Sequence, residues 1–498
     1  MEESDEISDI ANVVQRLYSC EPRTIFSISV TGGGVNLVPM LCTVPGASRS
    51  LMDLQIPYVR SALQIQLLSV DNKREMCGVN VETAVEMALI SRRRAASLLL
   101  SDTHDFRQIL SSSIIGLSCT AALISAQPKR GCHRMHAACA SANGVRTYSL
   151  TLNKALTRTR REEDDLCSRV LLDALLNNLS FSSEDNENLV SVPKFASKLI
   201  KEDEIIFETA LPCADSLENL YAGKTKKVFM QLKIKSNQPS STDNNATLSL
   251  DDFECWEDLI LPEGSLIYPG SFRPMHRGHA QLALAALESE VKRCTQASAI
   301  VENASPCLPP LIVFEISAKN ADKPPLSRAD VLQRARALLA SLPAYGIENA
   351  AVCITFEPLF VGKAALFRGC TFVLGADTLT RILDVKYYGQ QEKNAMLATR
   401  LAGCDLSETQ LVQQARFGEL VAALASIHAN SVRFVVGGRE VIENGHSHFL
   451  SCAEILASSR CALIPKHLLQ GLFSGLDEAQ FRVDLSSTMI RQVMDEKQ

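Results

Sequence analysis

The sequence predicts an α/β protein made of two three-layer α/β/α domains joined by a polar linker, and three observations carry that expectation. Its 498 residues exceed the ~100–200 of an ordinary domain, so the chain is expected to hold more than one hydrophobic core. Short apolar runs of strand length alternate with amphipathic helical patterns, once within residues 10–180 and again within 263–498. Between them the composition turns charged and polar, and residues 236–245 (Ser-Asn-Gln-Pro-Ser-Ser-Thr-Asp-Asn-Asn) form a flexible stretch. The expected boundaries are therefore 1–180, 181–262 and 263–498.

In the first domain, strands are expected at 25–30, 114–119 and 145–152. A helix is expected over 162–179, where Leu166, Val170, Leu171, Ala174 and Leu175 make one apolar stripe. Residues 109–126 are uncharged and long enough to raise a membrane span. Ser111, Ser112, Ser113, Ser118, Thr120 and Ser125 point instead to a buried strand running into a polar loop. Two apolar runs in the linker, 205–209 and 228–234, suggest a small hairpin. The last domain has strand-like runs near 265–268, 311–316, 351–356, 371–374, 433–436 and 460–464, and their helical spacers imply a mostly parallel sheet.

Composition excludes some function classes. Lys+Arg 50 against Asp+Glu 56 gives a net charge of −6, without the basic surplus a nucleic-acid or anionic-membrane binder needs. Hydrophobic content of 46% with 21% charged residues is that of a folded chain. The 16 cysteines are scattered with no CxxC pair, which reads as free thiols in a reducing compartment. The acidic start, Met1-Glu-Glu-Ser-Asp-Glu, is unlike a basic presequence, so a cytoplasmic location is expected.

The most informative segment is Leu266-Ile-Tyr-Pro-Gly-Ser-Phe-Arg-Pro-Met-His-Arg-Gly-His279. An apolar strand runs into a Gly/Pro loop, and a helix follows with Ala280, Leu284, Leu287 and Val291 on one face. His276 and His279 are placed in its first turn, at the positive end of the helix dipole, where doubly wound sheets bind phosphates. Gly270 allows close backbone approach, Ser271 and Phe272 complete the loop, and Gly278 clears space between the imidazoles. Such imidazoles can donate hydrogen bonds to phosphoryl oxygens as charge builds up.

The GSFxPxHxGH pattern resembles the signature of the HxGH nucleotidylyltransferase superfamily, which transfers a nucleotidyl unit from ATP or CTP onto a phosphorylated small molecule. The resemblance implies a Rossmann-like parallel sheet for this half. Near the end, Asp484-Leu-Ser-Ser-Thr-Met-Ile-Arg491 resembles the ISSTxIR motif of nicotinamide/nicotinate mononucleotide adenylyltransferases, with Leu485 in place of isoleucine. It implies that Ser486, Ser487 and Thr488 hold ATP phosphates with Arg491, which acts alongside the histidines. The RxxGISTS-type motif of cytidylyltransferases is absent from the sequence. The loop after the 311–316 strand implies an acceptor site with Lys323, or more weakly Lys319, and Arg334. Gly375 and Asp377 resemble the family's GxD turn. The tryptophan that often follows is missing, and Lys386-Tyr-Tyr388 stands near its place. The implied ligands are ATP with Mg²⁺ and a pyridine mononucleotide. The rivals are another HxGH specificity, cytidylyl transfer included, or a catalytically silent nucleotide sensor. Homo-oligomerisation is left open.

In the first half, Ser27-Ile-Ser-Val-Thr-Gly-Gly-Gly34 follows a strand and suits either a phosphate or a tight turn. Its surroundings, about residues 25–180, resemble CinA C-terminal-like nicotinamide-nucleotide amidases. The resemblance places Ser29 at the nucleophile, with Thr31 beside it, and Tyr58 at the tyrosine partner. The lysine expected five residues after that tyrosine is Leu63, and Ile28 replaces the glutamate before the serine. A serine without a neighbouring base is a poor nucleophile, so the domain is expected to be an inactive amidase relative. Cys132, His133, His136 and Cys139 fall within eight residues. Strand alternation sends His133 and Cys139 to one face and Cys132 and His136 to the other, so no metal site is expected.

Overall fold

The computed structural model describes residues 2–68, 78–127, 130–178, 195–201, 203–233, 250–298, 308–319, 324–388, 408–443 and 446–482. It divides into two compact units, Met1–Thr225 with Trp256–Leu259, and Lys226–Cys255 with Ile260–Gln498.

The first unit is built on β1 (Thr24–Thr31), β2 (Leu51–Gln55), β3 (Ser113–Ala122), β4 (His133–Ser141), β5 (Gly144–Leu152) and β6 (Ile206–Leu211). Their order is β2-β1-β3-β4-β5-β6. The first three pair in parallel and the remainder antiparallel. Helices α1 (Glu2–Ser19), α2 (Leu37–Cys42), α3 (Arg60–Leu68), α4 (Val81–Thr103), α5 (Phe106–Ser111), α6 (Arg160–Leu176) and α7 (Ser216–Tyr221) complete the unit. Local sequence sets their starts. The Asn80 side chain accepts from the Thr83 N–H at the head of α4, and Thr159 with Glu162 forms a capping box at the head of α6.

Alternation along β4 separates the layers. Met135, Ala137 and Cys139 join the core with Leu166, Val170, Leu171, Ala174 and Leu175 of α6, while Ala138 and Ala140 pack with Ala84 and Ala88 of α4. The close approach of α4 requires Gly116, because a Cβ there would lie 2.0 Å from the Ala88 carbonyl oxygen and 2.2 Å from the Arg92 nitrogen. Residues 109–126 prove to be the end of α5, then β3 and its loop. Among the described residues, no helix is long and apolar enough to cross a membrane.

The second unit contains β7 (Lys227–Leu232), the first three residues of β8 (Phe253–Glu257), β9 (Leu266–Pro269), β10 (Ile312–Ser317), β11 (Ala350–Thr355), β12 (Thr371–Gly375), β13 (Arg433–Gly437), β14 (Arg439–Glu443), β15 (His446–Leu450) and β16 (Phe473–Leu476). The main sheet runs β16-β13-β12-β9-β10-β11-β7-β8, and β14 pairs with β15 in a separate ribbon. From β16 to β11 all pairings are parallel. Chain order runs outward from β9 in both directions, which is the doubly wound, Rossmann-like arrangement. Its switch point lies beside β9, where the crevice at the carboxyl ends of the strands opens. Helices α8 (Arg277–Ser298), α9 (Arg328–Ser341), α10 (Phe360–Leu366), α11 (Ala376–Ile382), α12 (Glu408–Ala429), α13 (Cys452–Ala457) and α14 (Lys466–Leu472) belong to this unit.

Two expectations are corrected. The hairpin within 205–234 does not form, since β6 pairs with β5 in the first sheet and β7 pairs antiparallel with β11 in the second. The two apolar runs each find a longer sheet edge to join, which satisfies more backbone than an isolated two-stranded ribbon would. The expected strand at 460–464 is instead a 3₁₀ turn, Ser459–Cys461, and a following bend. Pro465 at the head of α14 ends the run and Leu463 is left 80% exposed. The edge strand is β16.

Candidate active site

The β9 strand delivers the chain to the crevice, and the loop to α8 is held in place by its own backbone. The Gly270 N–H donates to the Glu315 carbonyl oxygen at 2.9 Å. Phe272 takes a left-handed backbone conformation, φ +41°, unusual for an aromatic residue, and its buried ring folds back over Gly270. A Cβ on Gly270 would lie 2.6–2.9 Å from that ring, so any larger residue would have to push the ring aside.

His276 is the cap residue of α8 rather than part of its first turn. Its carbonyl oxygen accepts from the His279 and Ala280 N–H groups, and its ring Nδ1 accepts from the Gly278 N–H at 3.2 Å. His279, the third helical residue, presents Nδ1 to the His276 N–H at 3.4 Å. With both Nδ1 atoms accepting, the proton of each neutral ring resides on Nε2. The ring centroids stand 3.7 Å apart, with Phe272 5.3 Å and Tyr268 6.1 Å from His279. Burial lowers the His276 pKa. Burial first, and the neighbouring His276 second, push that of His279 down to about 3, so both imidazoles are neutral at physiological pH.

Beside this loop lies a cavity of about 610 Å³. Its wall includes Gly270, Ser271, Arg273, Lys319 and Arg334, along with Arg381, Tyr387 and Tyr388. The histidines are adjacent in sequence to this wall but do not line it. Basic lining residues Arg273, Lys319, Arg334, Lys363 and Arg381 outnumber the single carboxylate, Glu315, so the cavity suits an anion despite the net negative charge of the chain. The Arg334 pKa is lowered by burial and by the guanidinium of Arg273, two like charges brought together on one wall. An anion between them would relieve that repulsion.

Other sequence-derived candidates are placed as follows. Gly375 caps α11, and Asp377 pairs with Arg439 and does not line the cavity, whereas Thr378 and Arg381 of the same helix do. Lys386 is exposed and pairs with Asp384, while Tyr387 and Tyr388 take the cavity position. The Tyr388 hydroxyl donates to the Ile382 carbonyl oxygen at 2.8 Å, and burial raises its pKa to about 12, so it stays protonated. Lys323, Ser486, Ser487, Thr488 and Arg491 lie outside the described residues. Sequence reasoning missed Arg273, Arg381, Glu315 and Lys363, although a lone glutamate inside the apolar run of β10 was a usable signal.

In the first unit, Ser29 is fully buried and exchanges hydrogen bonds with Gln66 at 2.9–3.1 Å. Tyr58 is 69% exposed, and Thr31 donates to the Pro57 carbonyl oxygen. The tyrosine partner expected for Ser29 is thus a neutral carboxamide from α3, which cannot act as a base. The glycine loop is already occupied, as Asp164 accepts from the Gly34, Val35 and Asn36 N–H groups at 2.9, 3.3 and 2.9 Å. A carboxylate of the chain itself fills the place a phosphate would take. His133 binds Glu163 of α6 at 2.7 Å on one face of β4, and His136 binds Ser149 of β5 on the other. Among the described residues no group of three His, Cys, Asp or Glu side chains is arranged to hold a metal ion.

No protein-family model matches this sequence, and no curated protein matches it. Among solved structures, the chain is similar to the competence/damage inducible protein CihA from Agrobacterium tumefaciens. The identity is 17% and the TM-score 0.26, over 34% of this chain and 95% of that one.

Proposed function

We propose that the second unit transfers an adenylyl group from ATP onto a phosphorylated small molecule, specifically a pyridine mononucleotide, releasing pyrophosphate. The observation that carries this reading is the pair of neutral imidazoles, ring centroids 3.7 Å apart, at the head of α8 and next to a basic cavity at the switch point of a parallel sheet. Two fixed donors at a helix N-terminus suit a phosphoryl group whose negative charge grows during in-line displacement.

In this mechanism the acceptor phosphate rests against Arg273 and Arg334, and one of its oxygens attacks the α-phosphorus of ATP as pyrophosphate leaves. His276 and His279 donate to the α-phosphoryl oxygens without taking up a proton. Ser486, Ser487, Thr488 and Arg491 are the residues proposed to hold the outer phosphates. The described residues offer no carboxylate set for Mg²⁺, because the one lining carboxylate is paired with Lys363, so the ion is assigned to the MgATP substrate. Tyr387 and Tyr388 offer aromatic surface for the acceptor's ring.

The test is pyrophosphate release by the full chain with ATP or CTP against a panel of phosphorylated acceptors that includes both pyridine mononucleotides. Release with ATP and a pyridine mononucleotide is expected. Release only with CTP, only with another acceptor, or with none would contradict the proposal.

A further inference from the structure

Strand β6 closes one side of the first sheet, and among the described residues it pairs with β5 alone. Its outward N–H and C=O groups are a template for a further strand, which soluble proteins usually spoil with lysine, proline, a bulge or a covering element. Ile-Phe-Glu-Thr-Ala-Leu carries neither lysine nor proline, runs in unbroken register with β5, and is exposed at every position after Ile206. Phe207 is 67% exposed and Leu211 39%, and strand alternation puts both on one face with Thr209. The opposite edge strand, β2, differs, because all five of its residues are half-buried.

We propose that β6 is a self-association edge, on which a second copy of this chain docks its own β6 antiparallel about a two-fold axis through Thr209. The side chains choose that register. An antiparallel two-fold pair brings one residue opposite itself, and an axis near either end of β6 pairs few residues. An axis through Glu208 sets two carboxylates directly opposite, and one through Ala210 sets Glu208 against Pro212, which has no N–H to give. An axis through Thr209 pairs Thr209 with Thr209, Phe207 with Leu211 and Glu208 with Ala210, so the exposed apolar side chains cover one another. Charge agrees with this choice. Arg146 of β5 lies opposite Ala210 and reaches Glu208 of its own chain at 3.5 Å. The second copy's Glu208 would lie on the far side of the same Ala210, about 10 Å from Arg146 along the row and within the combined reach of the two side chains. The two six-stranded sheets then run on as one.

One strand from each copy makes a small interface, so the dimer is expected to dissociate on dilution. Sedimentation velocity of the full chain should show a monomer at about 1 µM giving way to a dimer by about 100 µM. Thr209→Lys opposes two ammonium groups at the axis, so it should weaken association at least about tenfold. Because Thr209 is exposed in the single copy, the urea midpoint at low concentration should not change. The register is read by oxidising concentrated protein with dissolved oxygen and a copper catalyst. Thr209→Cys, whose two copies face each other, should give a disulfide-linked dimer above the wild-type background, whereas Ala210→Cys, whose copies are diagonal neighbours too far apart to bridge, should not. A chain that stays monomeric at about 100 µM would overturn the inference. So would association unaffected by Thr209→Lys, or crosslinking of Ala210→Cys without that of Thr209→Cys. If Thr209→Lys fails to fold, the dilution series and the two cysteine variants decide the matter.

Discussion

Replacing His279 by alanine separates chemistry from folding. The ring centroid stands 3.7 Å from that of His276 and 5.3 Å from that of Phe272, and its Nδ1 is an acceptor for the His276 N–H. Its loss should cost about 1–2 kcal/mol of stability from packing and one hydrogen bond, well short of unfolding a domain. Its Nε2–H is one of two donors proposed at the reacting phosphoryl group, so kcat should fall about 10²–10³-fold while the acceptor KM changes little. A pH signature goes with it. The folded pKa of about 3 lies below the usual ~6.5 of histidine. Between these values the unfolded chain binds a proton that the folded chain refuses, so wild-type stability is lost as pH falls from about 6.5 toward 3. The alanine variant lacks that liability, and its deficit in urea midpoint at pH 7.5 should shrink at pH 5. Initial rates of pyrophosphate release and urea titrations at the two pH values measure both effects. Near-normal turnover would remove His279 from the mechanism, and a deficit that grows in acid would refute the buried neutral imidazole.

Arg334→Ala should raise the acceptor KM by about tenfold or more and leave the ATP KM unchanged, as one charged contact to phosphate is lost. Unaltered acceptor saturation would place the phosphate elsewhere. The full chain incubated with nicotinamide mononucleotide should release no ammonia beyond a Ser29→Ala control, because Gln66 rather than a base faces Ser29. Ammonia above the control would make the first unit an active amidase. Gly116→Ala should cost about 3 kcal/mol or more, since its Cβ would collide with the backbone of α4 at 2.0 Å. A urea midpoint equal to that of wild type would contradict the packing described.

The parallel core was readable because strands buried on both faces are continuous apolar runs, and β9 through β13 each lie on one. The failures came where local pattern and tertiary choice diverge. The run at 460–464 is apolar, but Pro465 ends it, whereas the true edge strand, Phe-Ser-Gly-Leu, is too short and polar to stand out. The runs that became β6 and β7 look like neighbours in sequence, and only the available sheet edges separate them. The histidine loop was legible because its groups are compressed into ten residues. Arg273 of the loop after β9, Glu315 of β10, Lys363 of α10 and Arg381 of α11 are far apart in sequence and converge only on folding. Asp164 filling the Gly34 loop was unreadable for the same reason, lying 130 residues away.

The central claim, adenylyl transfer at the histidine pair, is tested most directly by following ATP labelled at the α-phosphorus in the presence of a pyridine mononucleotide. The label is expected to appear in a dinucleotide in equal amount to the pyrophosphate released, and both are expected to fall together in His279→Ala. Label remaining in ATP, or released as AMP with no dinucleotide formed, would contradict it.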